Sequence, residues 1–251
     1  MPSSHQIKAI LFDLDGTLRH NRPSYTDVFF DISSRLGAPS VPEAQYRAKR
    51  WMHYYWAKSD ELLSDRRMYD DQTEAFYINH ARLVLIAMGC TPDLAAALAP
   101  KAYQMMKDEF KPQDWVPPDV HLTLDELKAA KYPLAVLSNR LRPFHEQMET
   151  LGLTPYFEFA LHAGEAKSWK PDPQVFHQAV ERLGYSPYET LYVGDNYFAD
   201  VVGARRANLV PVLIDPEGLF PEADCAVIQQ FGDLKELLLQ QENLNTSIPQ
   251  E

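Results

Sequence analysis

Short apolar runs alternate with helical segments along the second half of the chain, and this alternation constrains the fold more than any other feature. The apolar runs predict strands at residues 134–137, 157–161, 190–193 and 210–214. The helical segments before and between them are predicted at residues 122–130, 143–151, 173–183 and 199–207. Such alternation is typical of a parallel sheet with helices on both faces. We therefore expect an α/β fold.

A further strand is predicted close to the first residue. Residues 9–12, Ala-Ile-Leu-Phe, form an apolar run without a polar position. Such a run predicts a strand that is buried on both faces, and we place it in the same sheet. The run leads directly into Asp13 with no small-residue cleavage site. We therefore expect no secretion signal and a cytoplasmic protein.

The segment between this strand and the second half of the chain carries helical signals only. Ser24 and Asp27 form a capping-box start for a helix that ends at Gly37. Thr91-Pro92 begins a later helix, since a cap residue followed by proline is typical of a helix start. Two more helices are predicted over residues 43–63 and 70–88, and a Pro-rich connector over residues 111–118.

Together these patterns predict two domains. We expect a Rossmann-like parallel-sheet core made of residues 1–21 and 113–251. An all-α cap domain at residues 22–112 is inserted into this core. The stretch 240–251 is polar and contains Pro249, so we expect it to be a flexible tail.

Charge, cysteine content and hydropathy exclude several classes of partner and structure. The chain has 24 basic and 35 acidic residues, for a formal net charge of −11. An acidic chain gains nothing from releasing the counterions of a nucleic acid polymer, so we expect no such partner. Cys90 and Cys225 are far apart, which argues against a disulfide scaffold and a cysteine zinc site. No apolar run reaches the roughly 18–20 residues of a membrane span, so no membrane association is expected.

Polar residues cluster at one predicted edge of the sheet. In an open parallel sheet, ligands bind beyond the carboxyl ends of the strands. Three polar segments follow strands and one begins a helix: Asp13-Leu14-Asp15-Gly16-Thr17, Ser138-Asn139-Arg140, Gly194-Asp195 with Asp200, and Lys170-Pro171-Asp172. We therefore expect one site built from segments that are distant in sequence.

The residue types in these segments suit phosphate-ester chemistry. Asp13 and Asp15 are two residues apart, so in extended backbone their side chains share a face. Carboxylates supply a nucleophile and a proton for a leaving group. Two carboxylates beside an anionic substrate repel it, and a hard divalent cation relieves this repulsion. Lys170 is a compact positive charge suited to a carboxylate and to phosphate oxygens.

In their order along the chain, with Lys170-Pro171-Asp172 before Gly194-Asp195, the four segments resemble the haloacid dehalogenase-like superfamily, specifically its phosphatase branch with a helical cap inserted after the first motif. The resemblance covers nearly the whole chain. It implies a phosphoric monoester hydrolase that acts on a small phosphorylated metabolite and uses Mg²⁺ as its cofactor.

The resemblance also implies a role for each motif residue. Asp13 would attack phosphorus and form an aspartyl-phosphate, and Asp15 would protonate the leaving oxygen and then activate water. Asp13, the main-chain carbonyl of Asp15 and Asp195 would bind Mg²⁺. Asp200 would hold Lys170 or a metal-bound water. The phosphate would be bound by Thr17, Ser138, Asn139 and Lys170.

Residues that flank the motifs are candidates for substrate specificity. Arg19 and His20 follow the first motif directly. Arg140 stands where relatives commonly have small residues. Its guanidinium group either reaches a second anionic group of the substrate or folds away from it, and both interpretations stay open.

The second predicted cap helix carries a further candidate group. Trp51, Tyr54 and Tyr55 share one helical face, and Arg50 lies beside them. The rings either pack against other cap helices or, with Arg50, line a pocket for a nucleotide or an extended anion. The sequence leaves both interpretations open.

Three alternative functions fit the same fold. A haloacid dehalogenase also uses an aspartate nucleophile, but it needs neither a metal nor an acid at the position of Asp15. A phosphomutase often carries Glu-Asp where this chain has Gly194-Asp195, and a phosphonatase would use a lysine in the first cap helix, where none is found. A catalytically idle binding protein is the third alternative, although every core motif residue is present.

Overall fold

The computed structural model describes residues 6–70 and 73–246. The chain divides into two compact units, Met1–His20 with Trp115–Glu251, and Asn21–Asp114. The second unit is inserted into the first along the chain, and the predicted insertion at 22–112 lies within it. Among the described residues, no helix is both long and apolar enough to cross a membrane.

The strands and helices of residues 6–70 and 73–246 are as follows. The strands are β1 (Ala9–Phe12), β2 (His20–Arg22), β3 (Gln113–Trp115), β4 (Leu134–Ser138), β5 (Phe159–His162), β6 (Thr190–Gly194), β7 (Val210–Ile214) and β8 (Ala226–Ile228). The helices are α1 (Tyr25–Arg35), α2 (Pro42–Trp56), α3 (Asp60–Tyr69), α4 (Glu74–Met88), α5 (Pro92–Glu109), α6 (Pro118–Ala129), α7 (His145–Thr150), α8 (Ala163–Ala166), α9 (Pro173–Leu183), α10 (Val202–Arg206) and α11 (Asp233–Thr246). A π-helical turn, Tyr197–Val201, precedes α10.

Six of the strands form one parallel sheet in the order β5-β4-β1-β6-β7-β8. The predicted α/β fold with a parallel core sheet is therefore confirmed. β1 lies between β4 and β6, so the chain runs from β1 to one side of the sheet and later returns to the other side. The point where the strand order reverses is where open α/β sheets bind ligands. A ligand-binding site is thus expected at the carboxyl end of β1.

The wholly apolar sequence of β1 follows from its central position. Ile10 and Phe12 belong to the core on one face of the sheet, and Leu11 belongs to the core on the other face. Helix α6 adds Leu124 to the first core, and α9 adds Phe176 to the second. Full burial of each such side chain stabilises the fold by about 1.5–3 kcal/mol.

The single helix predicted at 43–63 is wrong, because the structure has two helices there, α2 and α3. The chain turns between them at Lys58, whose φ is 60°. Ser59 then begins α3, since its hydroxyl oxygen accepts a hydrogen bond from the Leu62 N–H at 3.1 Å. The same hydroxyl donates to the Tyr55 carbonyl at 3.1 Å. One serine therefore binds backbone groups at the end of α2 and at the start of α3.

The stretch 240–251, predicted to be a flexible tail, is helical over its first part. Helix α11 continues to Thr246, and residues 247–251 lie outside the described residues. Leu234 and Leu238 are buried in the core on one face of the sheet. Because they are spaced by four residues, they lie on one side of α11 and tie the start of this helix to the core.

The inserted unit has its own core, in which aromatic rings surround His80 of α4. The rings of Trp51, Tyr55 and Trp56 lie with their centroids 5.9, 5.2 and 5.1 Å from that of His80. Tyr55 is fully buried, whereas Tyr54 is 39% exposed. Of the two interpretations for the aromatic face of α2, packing therefore holds for Tyr55.

His80 should make the stability of the protein depend on pH. Burial lowers the pKa of His80 to about 4. The unfolded chain takes up this proton near pH 6.5, so stability falls as the pH drops from about 6.5 toward 4. Relative to His80→Phe, the wild type should lose about 2 kcal/mol of unfolding free energy between about pH 7.5 and pH 5, as measured by urea denaturation.

The control for this experiment is His145→Gln, which replaces an exposed histidine. It should keep the pH dependence of the wild type. Identical pH dependence in the wild type and in His80→Phe would contradict the prediction.

Candidate active site

Asp13 occupies the position directly after β1, at the carboxyl edge of the sheet. Its N–H donates to the Val193 carbonyl at 2.9 Å, which extends the pairing of β1 with β6 by one residue. The side chain is buried, with 6% of the residue exposed. Asp13 is therefore a buried carboxyl group held at the switch point of the sheet.

Lys170 brings a positive charge to this buried carboxyl group. Its Nζ donates to Asp13 Oδ1 at 2.5 Å, to Asp200 Oδ1 at 2.6 Å and to the Tyr192 hydroxyl at 2.9 Å. Only 2% of Lys170 is exposed. A buried ammonium group requires such partners, because an unpaired buried charge is strongly destabilising. The three hydrogen bonds therefore fix the ammonium group between Asp13 and Asp200.

The main chain of Lys170 is fixed separately by Asn139. The Asn139 side chain accepts from the Lys170 N–H at 2.7 Å and donates to the Lys170 carbonyl at 3.0 Å. This reciprocal pair occupies the side chain of Asn139, and the predicted phosphate-binding role of Asn139 stays a prediction. The side-chain amide connects the end of β4 to the segment that precedes α9.

Asp200 has both of its carboxylate oxygens occupied. Oδ1 accepts from Lys170 at 2.6 Å and from the Tyr192 hydroxyl at 3.2 Å, and Oδ2 accepts from the Asn196 N–H at 2.9 Å. Gly194 lies against this carboxyl group, and a Cβ atom there would be 2.4 Å from Asp200 Cγ. Glycine at position 194 is therefore required for Asp200 to reach Lys170.

Three carboxyl groups lie close together at this edge. Oxygen atoms of Asp13, Asp195 and Asp200 all lie within 4.8 Å of one another. Gly16 makes room for Asp195, because its φ is +94° and a Cβ atom there would be 2.4 Å from Asp195 Oδ2. The Asp195 carboxylate also accepts from the Thr17 hydroxyl at 3.2 Å.

Burial and mutual repulsion act on the protonation of these carboxyl groups. Burial raises the pKa of Asp13 to about 7; Lys170 opposes the shift, and Asp200 and Asp15 add to it. Burial, together with Asp13 and Asp200, also raises the pKa of Asp195 well above its usual value. Although burial lowers the pKa of Lys170, Asp13 and Asp200 outweigh it and raise that pKa well above the usual value. The cluster therefore has an excess of negative charge that a single lysine does not neutralise.

The donor set fits a hard divalent cation. All the clustered groups are carboxylate oxygens, which Mg²⁺ and Ca²⁺ prefer as ligands. Because both oxygens of Asp200 are already occupied, Asp13 and Asp195 are the side chains best placed to bind a cation directly. A cation there would reduce the repulsion that raises their pKa values.

Asp15 lies apart from this cluster and is held by two arginines. Arg140 donates from Nε to Oδ2 and from Nη2 to Oδ1 of Asp15, both at 2.7 Å. Arg19 donates from Nη1 to Oδ1 at 2.8 Å. The guanidinium group of Arg140 thus binds the second aspartate of the first motif, and both interpretations of its role toward the substrate stay predictions.

The remaining predicted site residues are Ser138 and His20, which lie in the core unit, and Arg50 and Tyr54, which lie in the inserted unit. Ser138 is buried at the end of β4, and its hydroxyl oxygen accepts from the Arg140 N–H at 3.4 Å. His20 packs with its ring centroid 6.0 Å from that of Trp115, and burial lowers its pKa. Arg50 and Tyr54 belong to the inserted unit, where the Arg50 guanidinium lies 5.9 Å from the centroid of the Tyr46 ring.

Tyr192 is the site residue that sequence reasoning missed. It is fully buried in β6, and its hydroxyl accepts from Lys170 and bonds to Asp200 and to the Leu137 carbonyl, the last at 3.3 Å. The signal was present, since a hydroxyl group inside an otherwise apolar buried strand needs a partner. Only the tertiary structure, which packs the segment before α9 against β6, shows that this partner is the site lysine.

A buried lysine and three carboxyl groups thus lie at the switch point of a parallel α/β sheet, and the class of protein follows from comparison with known families. A family model described as haloacid dehalogenase-like hydrolase matches residues 7–208. This chain therefore belongs to the haloacid dehalogenase-like hydrolase family, which confirms the resemblance seen in its motifs.

Individual relatives agree with this assignment. The human protein named haloacid dehalogenase-like hydrolase domain-containing protein 3 is 37% identical over 226 residues, which are 86% of this chain and 85% of that protein. A glyceraldehyde 3-phosphate phosphatase from Methanopyrus kandleri is 33% identical over 219 residues, or 83% of this chain and 84% of that enzyme. The solved structure of 2-haloacid dehalogenase from Pseudomonas syringae pv. Tomato DC3000 aligns with a TM-score of 0.54 and 26% identity, covering 94% of this chain and 99% of that one.

Removing the Tyr192 hydroxyl should destabilise the protein. Tyr192→Phe leaves Lys170 with one partner fewer and the Leu137 carbonyl without this donor. Hydrogen bonds to charged groups contribute about 1.5–3 kcal/mol, so we expect a loss of about that size in urea denaturation. Tyr188→Phe, at a tyrosine that is 50% exposed, is the matched control and should change stability by less than about 0.5 kcal/mol. Equal losses in both variants would show that the buried hydroxyl does not support Lys170.

Proposed function

We propose that this protein is a Mg²⁺-dependent phosphatase that hydrolyses a small phosphorylated metabolite through an aspartyl-phosphate on Asp13. One observation carries the proposal: Asp13 is buried at the switch point in contact with Lys170, and a second carboxylate, Asp15, follows two residues later. Asp13 supplies a nucleophile, Lys170 a positive charge for phosphate oxygens, and Asp15 a group that exchanges protons. The name of the Methanopyrus relative, a glyceraldehyde 3-phosphate phosphatase, supports the same reaction type.

The first half of the reaction transfers the phosphoryl group to Asp13. A carboxylate oxygen of Asp13 attacks phosphorus, and the bond from phosphorus to the ester oxygen breaks. The electron pair of that bond stays on the ester oxygen, which takes a proton from Asp15 in its protonated form and leaves as an alcohol. Lys170 would stabilise the negative charge on the phosphoryl oxygens, with Ser138 and nearby main-chain N–H groups as further donors.

The second half releases inorganic phosphate. Asp15, now a carboxylate, accepts a proton from water as the water oxygen attacks phosphorus. The bond from phosphorus to Asp13 breaks, and its electron pair returns to the Asp13 carboxylate. Asp15 thus acts as an acid and then as a base, and both aspartates end in their starting states.

The cation belongs to this proposal because of the charge at the site. Asp13 and Asp195 would hold it, with the main-chain carbonyl of Asp15 as a further ligand implied by the family resemblance. A bound Mg²⁺ would offset the negative charge of the carboxylates and the phosphate and orient the phosphoryl oxygens. Asp200, whose oxygens are occupied, would act through Lys170 instead.

The inserted helical unit is our candidate for the source of substrate selectivity. It follows the first motif directly along the chain, and its connecting segments form the paired strands β2 and β3. We propose that it acts as a cap domain over residues 22–112, with Arg50 and Tyr54 as specificity residues together with Arg19 and His20. Closure of such a domain would exclude water from the reaction.

Dehalogenation is the second candidate, because the aligned Pseudomonas structure is named a 2-haloacid dehalogenase. That reaction also begins with an aspartate nucleophile. It requires neither a cation nor an acid at the position of Asp15. The presence of Asp15 and the clustering of Asp195 with Asp13 both favour the phosphatase.

Replacing the nucleophile should abolish turnover and leave the fold intact. Asp13→Asn keeps the shape of the side chain but removes the charge that attacks phosphorus, so hydrolysis of a panel of phosphorylated metabolites should fall by about 10³-fold or more. Asp224→Asn is the matched control, because Asp224 is part of an exposed ion pair with Arg205. Activity near the wild-type level in Asp13→Asn would rule out the nucleophile assignment.

Removing the cation should abolish activity reversibly. Enzyme treated with EDTA should be inactive and should recover when Mg²⁺ is added. Asp195→Ala removes a carboxylate ligand, so the Mg²⁺ concentration needed for half-maximal activity should rise about tenfold or more. Full activity in EDTA, together with chloride release from 2-chloropropionate, would instead favour the dehalogenase.

A further inference from the structure

The carboxylate of Asp15 is bound by more guanidinium groups than charge neutralisation requires. Arg140 contacts both of its oxygens at 2.7 Å in a two-pronged arrangement, and Arg19 contacts Oδ1 at 2.8 Å. An arginine fork of this kind fixes the plane and direction of a carboxylate, which a lysine cannot do. The three contacts therefore fix the orientation of Asp15.

The two arginines contribute differently to this arrangement. Arg19 lies four residues after Asp15 and makes one contact with it from the same turn of the chain. Arg140 lies in the segment that directly follows β4, 125 residues later in the chain, and makes two contacts. A partner from a separate strand can hold Asp15 relative to the sheet, whereas a partner from the same turn moves with it. Arg140 is thus the residue that ties Asp15 to the core.

Arg140 is itself held by helix α7 and the residue before it. Its Nη1 donates to the side-chain carbonyl of Gln147, and its guanidinium lies 5.4 Å from the centroid of the Phe144 ring. Phe144 is buried in the core on one face of the sheet. These contacts therefore connect the buried ring of Phe144, through Arg140, to the Asp15 carboxylate, whose side chain is 37% exposed.

We propose that Arg140 is a positioning residue that aims the carboxyl group of Asp15 at the leaving-group oxygen, with Gln147 and Phe144 orienting Arg140. The proposal rests on the phosphatase function and the acid–base role of Asp15 above. An exposed aspartate samples several rotamers, and a misplacement of about 1 Å in a catalytic group can lower a rate about 100-fold. Arg140 fixes one orientation before the substrate arrives.

Leaving-group dependence separates positioning of Asp15 from a general structural effect. An alkyl phosphate needs a proton on its leaving oxygen, whereas 4-nitrophenyl phosphate releases a stable anion without one. The value of kcat/KM reports the steps up to leaving-group release, so it isolates the step in which Asp15 acts as an acid. Arg140→Ala should lower kcat/KM for an alkyl phosphate about 10- to 100-fold and for 4-nitrophenyl phosphate by less than about threefold.

Chemical rescue and two further variants sharpen the test. Guanidinium chloride, at concentrations far below those that unfold proteins, should restore alkyl phosphate hydrolysis in Arg140→Ala. Arg140→Lys should remain impaired, because one ammonium group cannot replace the fork. Gln147→Leu should produce a smaller loss with the same leaving-group dependence. The matched control is Arg205→Ala, which removes an exposed arginine from its ion pair with Asp224 and should leave both substrates unaffected.

The outcomes distinguish this proposal from the function on which it rests. Equal losses on both substrates, or no loss on either, in an enzyme that still requires Asp13 and Mg²⁺ would overturn the positioning role and leave the phosphatase intact. Should the wild type hydrolyse no phosphate ester, the proposed function fails, and a crystal structure of the wild type then decides the geometry. A fork from Arg140 onto Asp15 in that crystal supports the arrangement, and an Asp15 turned away from Arg140 overturns it.

Discussion

The buried ammonium group of Lys170 is the interaction on which the rest of the site depends. Burying a charge costs several kcal/mol, and removing one partner of a buried pair leaves the other uncompensated. Here the charge is balanced by Asp13 and Asp200 and completed by the Tyr192 hydroxyl. Asn139 and Gly194 serve the same centre, the first by holding the Lys170 main chain and the second by making room for Asp200. These residues come from β6 and from the segments that follow β1, β4, α8 and β6, so the charge is accommodated only where the core sheet brings these segments together.

The order of strands explains why such distant segments meet. β1 lies between β4 and β6, and all three run in the same direction. The residues that follow these strands therefore emerge side by side at one edge. The nucleophile candidate Asp13 is at the centre of this edge, with Ser138 on one side and Asp195 on the other. The candidate site of this hydrolase thus lies at the point where the strand order of the sheet reverses.

The electrostatics of the site are asymmetric in a way that suits two separate tasks. Around Asp13 the carboxyl groups outnumber the cations, so that region is suited to a divalent cation and then to a phosphate. Around Asp15 the guanidinium groups outnumber the carboxylate, so that side chain is fixed in place. Two aspartates only two residues apart therefore occupy opposite environments. The difference between them is set by Lys170 on one side and Arg140 on the other.

The sequence by itself determined five of the six strands of the core sheet, the order of the motifs and the residue types at the sheet edge, whereas β2, β3 and β8 were not predicted. The apolar run of β1 predicts a central strand because burial on both faces leaves no polar position, and Asp13, Lys170 and Asp195 are predicted from where they stand relative to strands and helices. Local signals also placed α1, α4 and α5 to within a few residues, since caps and glycines act over one turn.

Only the tertiary structure decided which side chains pair. The fork of Arg140 on Asp15, the amide pair of Asn139 with Lys170 and the bond from Tyr192 to Lys170 depend on strand order and register, which place residues up to 125 positions apart within 3 Å. The break between α2 and α3 likewise depends on a turn at Lys58 that hydrophobic periodicity does not show. Periodicity records which face of an element is buried, and it contains no information about the partner across that face.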